Sequence, residues 1–306
     1  MNLPRRLLLQ LSSSPRLKQV ATEWPLARRL AGRFVAGTSL ADALDTVEQL
    51  NRGGAGAALN FLGEHTLSEA AANTATTAYA DAIEALASRR LRAYCSVKPS
   101  QVGLQIDVGL CQENVRKLLL LARAHGAAVR LDMEDSSTTD NTLAVTRALR
   151  AEGFDNLGVV LQSYLYRTDR DVGDMNALGI SVRLCKGAYS ESPAVAYPDK
   201  IEVDRAYARQ SRKLLSEGYR SALATHDPRL IRGAMRYARQ RSISTDRYSF
   251  EMLLGIRRDL QERLITTGDR LTVYVPYGSE WYPYLMRRLA ERPANLLFFL
   301  RAALRA

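Results

Sequence analysis

Two arginines stand side by side in WYPYLMRRLAER, residues 281–292, and Tyr284, Arg287, Arg288 and Glu291 lie three or four positions apart. On a helix that spacing puts them on one face, since neighbours three and four apart stack along the axis. A phenol, two guanidiniums and a carboxylate within one turn form a set able to hold a small carboxylate. The plainer use of the same residues is a solvated basic face, with Glu291 as the i,i+4 partner of Arg287.

Other reactive side chains follow short apolar runs. Lys98 could be a Schiff-base nucleophile or an anion anchor, and Asp132 an acid, a base or an orienting carboxylate. Glu134 and Asp135 fit better as caps of the next loop or helix. Gln162 ends GVVLQ, where a buried amide needs partners. Arg183 sits inside VRLCKG: facing inward it is costly without an electron-rich partner, and facing outward it merely snorkels among helices. Lys186 precedes Gly187 and Ala188, a charge beside a backbone that a flat ligand can approach closely. Thr225, His226 and Asp227 close ATHDP, and Tyr274 and Tyr277 close the last apolar run. No GxSxG frame accompanies His226, which argues against a catalytic triad.

The runs that must position these groups number eight: 57–62, 93–98, 128–133, 158–162, 180–186, 221–225, 248–253 and 271–275. Helix-periodic stretches alternate with them at 68–88, 112–125, 139–152, 169–177, 199–217, 228–240, 259–267 and 282–292, with Asp227-Pro228 as a start signal and Gly153 and Gly218 as stops. Eight βα units predict a (β/α)8, TIM-like barrel over residues 51–306, with residues 1–50 as an N-terminal helical arm and the last helix over the barrel mouth. An open doubly wound sheet is disfavoured, because Leu59 breaks the GxGxxG frame that begins at Gly54. In a barrel, the polar run ends gather on one rim, where βα loops carry chemistry.

Composition narrows the chemistry. Forty-three basic against 32 acidic residues give a net charge of +11, which favours anionic partners, but the arginines are dispersed and no nucleic-acid motif occurs, so none is expected to bind nucleic acid. Three cysteines without CxxC spacing and three histidines without HExxH point to a reducing compartment and no metal site. No apolar run reaches the ~18 residues of a membrane span, and the opening lacks signal-peptide features, so a cytoplasmic location is the expectation.

RLDMED, GVVLQSYLYRT, VRLCKGAY, ATHDP, VYVPYG and YLMRRLAERP, in this order, resemble the proline dehydrogenase family, particularly its monofunctional bacterial members, from about residue 40 onward. The resemblance implies an FAD-dependent barrel that oxidises L-proline to 1-pyrroline-5-carboxylate and passes electrons to a quinone, the first step of proline catabolism. It also implies a peripheral contact with the inner face of the membrane. Arg287, Arg288 and Lys98 match the family's carboxylate anchors, with Glu291 holding the arginines. Tyr274, Tyr284 and Leu253 match the walls around the proline ring. Asp132 matches an active-site aspartate and Arg183 the arginine near flavin N5. Gln162, Met133, Lys186, Gly187, Ala188, Lys200, Thr225 and His226 resemble the flavin contacts. Cys185 within VRLCKG and Ser190-Glu191 after KGAY depart from the family pattern. Two other readings are a lysine Schiff-base aldolase using Lys98 or Lys186, and a non-catalytic basic binding protein.

Overall fold

Successive side chains of a strand alternate between two faces, so each of the eight runs can send one set outward to a helix and the other toward a common axis. The computed structural model describes residues 31–63 and 66–291, with side chains through Met286. Strands β1 (Gly56–Phe61), β2 (Ala93–Val97), β3 (Val129–Leu131), β4 (Leu157–Gln162), β5 (Ser181–Cys185), β6 (Tyr219–Ala224), β7 (Tyr248–Leu253) and β8 (Leu271–Tyr277) pair in parallel in chain order. Closure comes from β8 against β1, in register from Gly56 opposite Thr272 to Phe61 opposite Tyr277. The predicted (β/α)8 barrel is the observed fold.

The helices are α1 (Leu40–Arg52), α2 (Glu69–Ser88), α3 (Val108–Ala124), α4 (Thr139–Ala151), α5 (Thr168–Ala177), α6 (Lys200–Glu217), α7 (Pro228–Gln240), α8 (Arg258–Thr266) and α9 (Trp281–Glu291). Their limits follow local chemistry. Asp227 caps α7 through the Arg229 N–H with Pro228 at its first turn, and Gly153 follows α4 at φ +89°. Helix α3 begins four residues earlier than its periodicity predicts, because Asp107 accepts the Leu110 N–H at 2.8 Å and caps it there. A 3-10 turn over Pro99–Val102 is an addition, held by Glu134, which takes the Ser100 N–H at 2.8 Å and its hydroxyl at 2.6 Å. Asp135 accepts from the Ser137 N–H at 3.0 Å and so caps the loop that follows it, whereas Glu134, expected to cap the same stretch, reaches back to the turn after β2.

Outward-facing Leu59, Val97, Val129, Leu131, Val159, Val182, Leu184, Phe250, Val273 and Val275 form the core with Leu118, Leu119, Leu143, Met175, Leu214 and Leu264 of the helices. Each such side chain contributes roughly 1.5–3 kcal/mol by leaving water. Helix α1, through Ala43, Leu44 and Val47, covers β1 and β8. Helix α9 packs elsewhere: Trp281, Tyr282, Tyr284 and Leu285 meet Ala31, Phe34, Val35, Leu62 and Ile256. Leu62 follows β1 and Ile256 follows β7, so this last helix lies across the mouth.

The inward positions are unusual for such a barrel, whose interior is commonly filled by branched apolar residues. Here Asn60, Tyr94, Ser96, Arg130, Asp132, Gln162, Arg183, Glu251 and Tyr274 point to the axis and bond to one another or to backbone. Small residues beside them, Ala58 and Ala222, leave the room that two guanidiniums need.

Candidate active site

A cavity of about 540 Å³ opens at the C-terminal ends of the strands. Lys98, Asp132, Met133, Gln162, Arg183, Lys186, Gly187, Ala188, Lys200, Thr225, His226, Leu253, Tyr274 and Tyr284 all line it. Fourteen positions singled out in the sequence therefore meet around one space. Arg287, Arg288 and Glu291 belong to α9, but their side chains lie outside the described residues, as does the N-terminal arm before residue 31.

Arg183 faces inward and is 6% exposed. Strand alternation decides this: β5 sends Val182 and Leu184 into the helical core, so Arg183 must enter the axis. Its partners make that tolerable. One terminal nitrogen donates to Asp132 and, at 3.0 Å, to Ser96 Oγ; the other reaches Glu251 at 3.3 Å and Tyr94 OH at 3.4 Å. The guanidinium also lies 5.1 Å from the centre of the Tyr274 ring. Burial works against its charge, but Asp132, Tyr94 and Glu251 more than offset this and hold it firmly protonated.

Asp132 is a hub. It accepts from Ser96 Oγ at 2.5 Å and Tyr274 OH at 2.8 Å as well as from Arg183. Burial and the neighbouring Asp132 charge push the Tyr274 phenol well above its ordinary range, so it remains a neutral donor. With three donors on its two oxygens, Asp132 is placed to orient both Arg183 and Tyr274.

The cofactor-side candidates differ in how they are held. Gln162 gives its amide N–H to the Glu134 carbonyl at 2.7 Å, supplying the partner its apolar strand required. His226 Nε2 accepts the Leu253 N–H at 2.9 Å, which places its ring proton on Nδ1 and ties the β6 and β7 ends together. Lys186 pairs with Asp204 at 2.5 Å, and Lys200 pairs with the same carboxylate. Paired in this way, Lys186 is better placed to hold an anion than to serve as the nucleophile of the aldolase reading. Lys98, 7% exposed, donates to the Gly63 carbonyl at 3.1 Å.

Gly187 has φ +113°, and a Cβ there would stand 2.2 Å from the Tyr164 ring. Tyr164 OH reaches Glu191 at 3.4 Å, and Glu191 takes the Ser136 N–H at 2.7 Å. The unfamiliar Ser190-Glu191 segment thus fastens the β5–α6 loop to the loop after β3. The second departure, Cys185, lines the cavity and gives its thiol to the Leu161 carbonyl at 3.5 Å.

Sequence reading missed Asn60, Ser96, Glu251 and Arg257, of which Asn60, Glu251 and Arg257 line the cavity. Glu251 had a usable signal, because it sits two residues before Leu253 on β7 and must share its face. Burial alone would raise its pKa, but Arg130 and Arg183 outweigh that and lower it. A lowered folded value means a stabilising contribution that is present above the ordinary value of 4.5 and lost as pH falls below it. Glu251→Gln should therefore flatten the fall of unfolding free energy below about pH 5, read by urea titrations at several pH values. An unchanged acid limb would contradict this.

Comparison with known proteins decides the family. A model of the proline dehydrogenase family matches residues 43–301. The chain belongs to the proline dehydrogenase family. It is 38% identical over 294 residues to proline dehydrogenase 2 of Bacillus subtilis, covering 96% of each chain. With the proline dehydrogenase of Deinococcus radiodurans it shares 39% over 307 residues, covering 98% of each. Among solved structures, proline utilization A from Bdellovibrio bacteriovorus superposes with a TM-score of 0.81 at 25% identity, over 86% of this chain and 32% of that longer one. Membership in the proline dehydrogenase family makes the chain an oxidoreductase acting on CH–NH donors. No helix of the described residues is long and apolar enough to cross a membrane.

Proposed function

We propose that this chain oxidises L-proline to 1-pyrroline-5-carboxylate with FAD seated in the mouth cavity and a quinone as the eventual electron acceptor, a peripheral membrane contact bringing the two together. The observation that carries the reading is the constellation at the mouth: Arg183, clamped by Asp132 and Glu251 beside the phenol of Tyr274, in a cavity that Tyr284 of α9 also lines.

The residues fit a flavin. The cavity is large enough for a flat ring system and has an apolar side in Met133, Val160 and Met252. Lys186, Lys200 and Arg257 line it as well, and their charges suit phosphates. The buried Asn60 Oδ1 has no hydrogen-bond partner within the described residues, so the lining retains an acceptor for a ligand or a water. FAD bound there supplies an acceptor for the hydride that leaves the proline ring carbon beside nitrogen.

The protein's own part is placement and charge. Arg183 supplies a fixed positive charge where negative charge develops, and its two carboxylates prevent it from swinging away. Tyr274 and Leu253 wall the substrate ring, and Tyr284 closes it from α9. Arg287, Arg288 and Lys98 anchor the substrate carboxylate, and a bidentate guanidinium fixes orientation better than an ammonium does. Holding the ring carbon at a near-attack distance is the larger contribution, since well-oriented reactants gain several kcal/mol in barrier.

One measurement tests the reading: a visible spectrum of the purified protein, which should show bound flavin and bleach on adding L-proline. A colourless protein after incubation with FAD, or a flavin that proline leaves oxidised, would sink it. Arg287→Lys and Arg288→Lys are each expected to raise the Michaelis constant for proline about tenfold or more with flavin retained; unchanged steady-state constants for both would remove the anchor assignment. Asp132→Ala should slow single-turnover flavin reduction about 10-fold to 100-fold by releasing Arg183 and Tyr274. A normal rate there would show that Asp132 orients nothing of consequence.

A further inference from the structure

A second arginine lies under the first. Arg130 of β3 faces the axis with its side chain 10% exposed, stacked 4.6 Å from the centre of the Tyr94 ring and donating to Ser181 Oγ at 2.9 Å. Gly158 makes room for it: a Cβ at that position would come within 2.9 Å of Arg130 Nε. Arg130 lines a separate cavity of about 500 Å³ at the opposite, N-terminal end of the barrel.

Glu251 stands between the two guanidiniums and lines both cavities. Its Oε1 accepts from Arg130 at 2.6 Å and from Tyr94 OH at 2.8 Å, whereas its Oε2 meets Arg183 only at 3.3 Å. Charges alternate along the axis: Asp132 negative, Arg183 positive, Glu251 negative, Arg130 positive. The nearer arginine takes the larger share of the Glu251 charge. Arg183 therefore keeps one full partner, Asp132, and part of another, and retains positive potential toward the mouth.

We propose that Arg130 and Glu251 are positioning residues that together set how much positive charge Arg183 presents to the cavity. The inference rests on the flavin reading above and extends it to a pair of residues below the reacting groups. Screening is weak among buried groups, so each charge is felt at the next one. Loss of Glu251 leaves Arg183 less compensated. Loss of Arg130 frees Glu251 to turn its whole charge on Arg183. The two substitutions must then act with opposite signs, whereas damage to packing would move any property of the site in one direction.

The test uses the flavin-loaded enzyme and its Glu251→Gln, Arg130→Gln and double variants. Sulfite, an anion that adds to oxidised flavin N5, reports the local potential through its dissociation constant, and a reductive titration reports the two-electron potential. Glu251→Gln is expected to bind sulfite about tenfold more tightly and to raise the potential by about 30 mV, the equivalent of tenfold for two electrons. Arg130→Gln should weaken sulfite binding and lower the potential by similar factors, and the double variant should return near wild type. Thermal stability should fall in both single variants, so only the redox readouts split by sign. If Arg130→Gln does not fold, Glu251→Gln alone decides, since tighter sulfite binding is not what damaged packing produces. Shifts of the same sign, or changes below about twofold in both, would overturn the proposal. A wild-type protein that takes up no flavin overturns the flavin reading itself and the inference with it, a result distinguishable from a yellow, proline-bleached enzyme whose variants fail to shift.

Discussion

Arg183→Met is expected to lower kcat with proline by about 10²–10³-fold, the loss usual when a preorganised electrostatic donor is removed from a reacting centre. The same change should cost about 3–5 kcal/mol of stability, because it breaks buried ion pairs by deleting one partner. The partners are not equally hurt. Glu251 keeps Arg130 at 2.6 Å, while Asp132 keeps only the Ser96 and Tyr274 hydroxyls. Arg183→Lys separates charge from geometry: an ammonium restores the charge but has no planar fork to span Asp132 and Glu251. Partial recovery of stability with little recovery of kcat is expected. Steady-state kinetics and urea unfolding of both variants check this, and a kcat for Arg183→Met within threefold of wild type would remove the arginine from the chemistry.

Gly187→Ala should be the most damaging single methyl group in the cavity wall. At φ +113° an alanine is strained whatever the space, and its Cβ would fall 2.2 Å from a Tyr164 ring that is itself only 8% exposed. Strain and overpacking together amount to about 2–4 kcal/mol. Tyr164 cannot yield freely, since its hydroxyl meets Glu191, which is fastened to Ser136. The β5–α6 loop must move instead, and flavin retention through gel filtration should drop about tenfold or more, together with the melting temperature. Tyr164→Ala combined with Gly187→Ala removes the clash but not the backbone strain, so it should restore flavin content only in part. Full flavin content in Gly187→Ala would show that the loop has a slack the structure does not contain.

Much of the barrel was legible because periodicity and punctuation act locally. Alternating apolar runs, Asp227-Pro228 and Gly153 mark elements without help from distant residues. The misread start of α3 is instructive: Asp107 caps from an extended conformation of its own, φ −156° and ψ 133°, and the 3-10 turn that leads the chain to it depends on Glu134 from another βα unit. The motif residues were legible as a set, since fourteen of them meet around one cavity, but not as a network.

Chain order and residue type by themselves determined that eight βα units close into a barrel, that their polar ends share one rim, and that the motifs match the proline dehydrogenase family. Only the tertiary structure decided which way Arg183 faces and what makes that affordable. An isolated strand has two equivalent faces, and the choice between them falls to the hydrophobic demand of the surrounding helices, which claims Val182 and Leu184. Once the guanidinium enters the axis, its partners come from β2, from the residue after β3 and from β7, 51 to 87 positions away in sequence. No local pattern reports such partners, because closure of the barrel is what brings them within hydrogen-bonding distance.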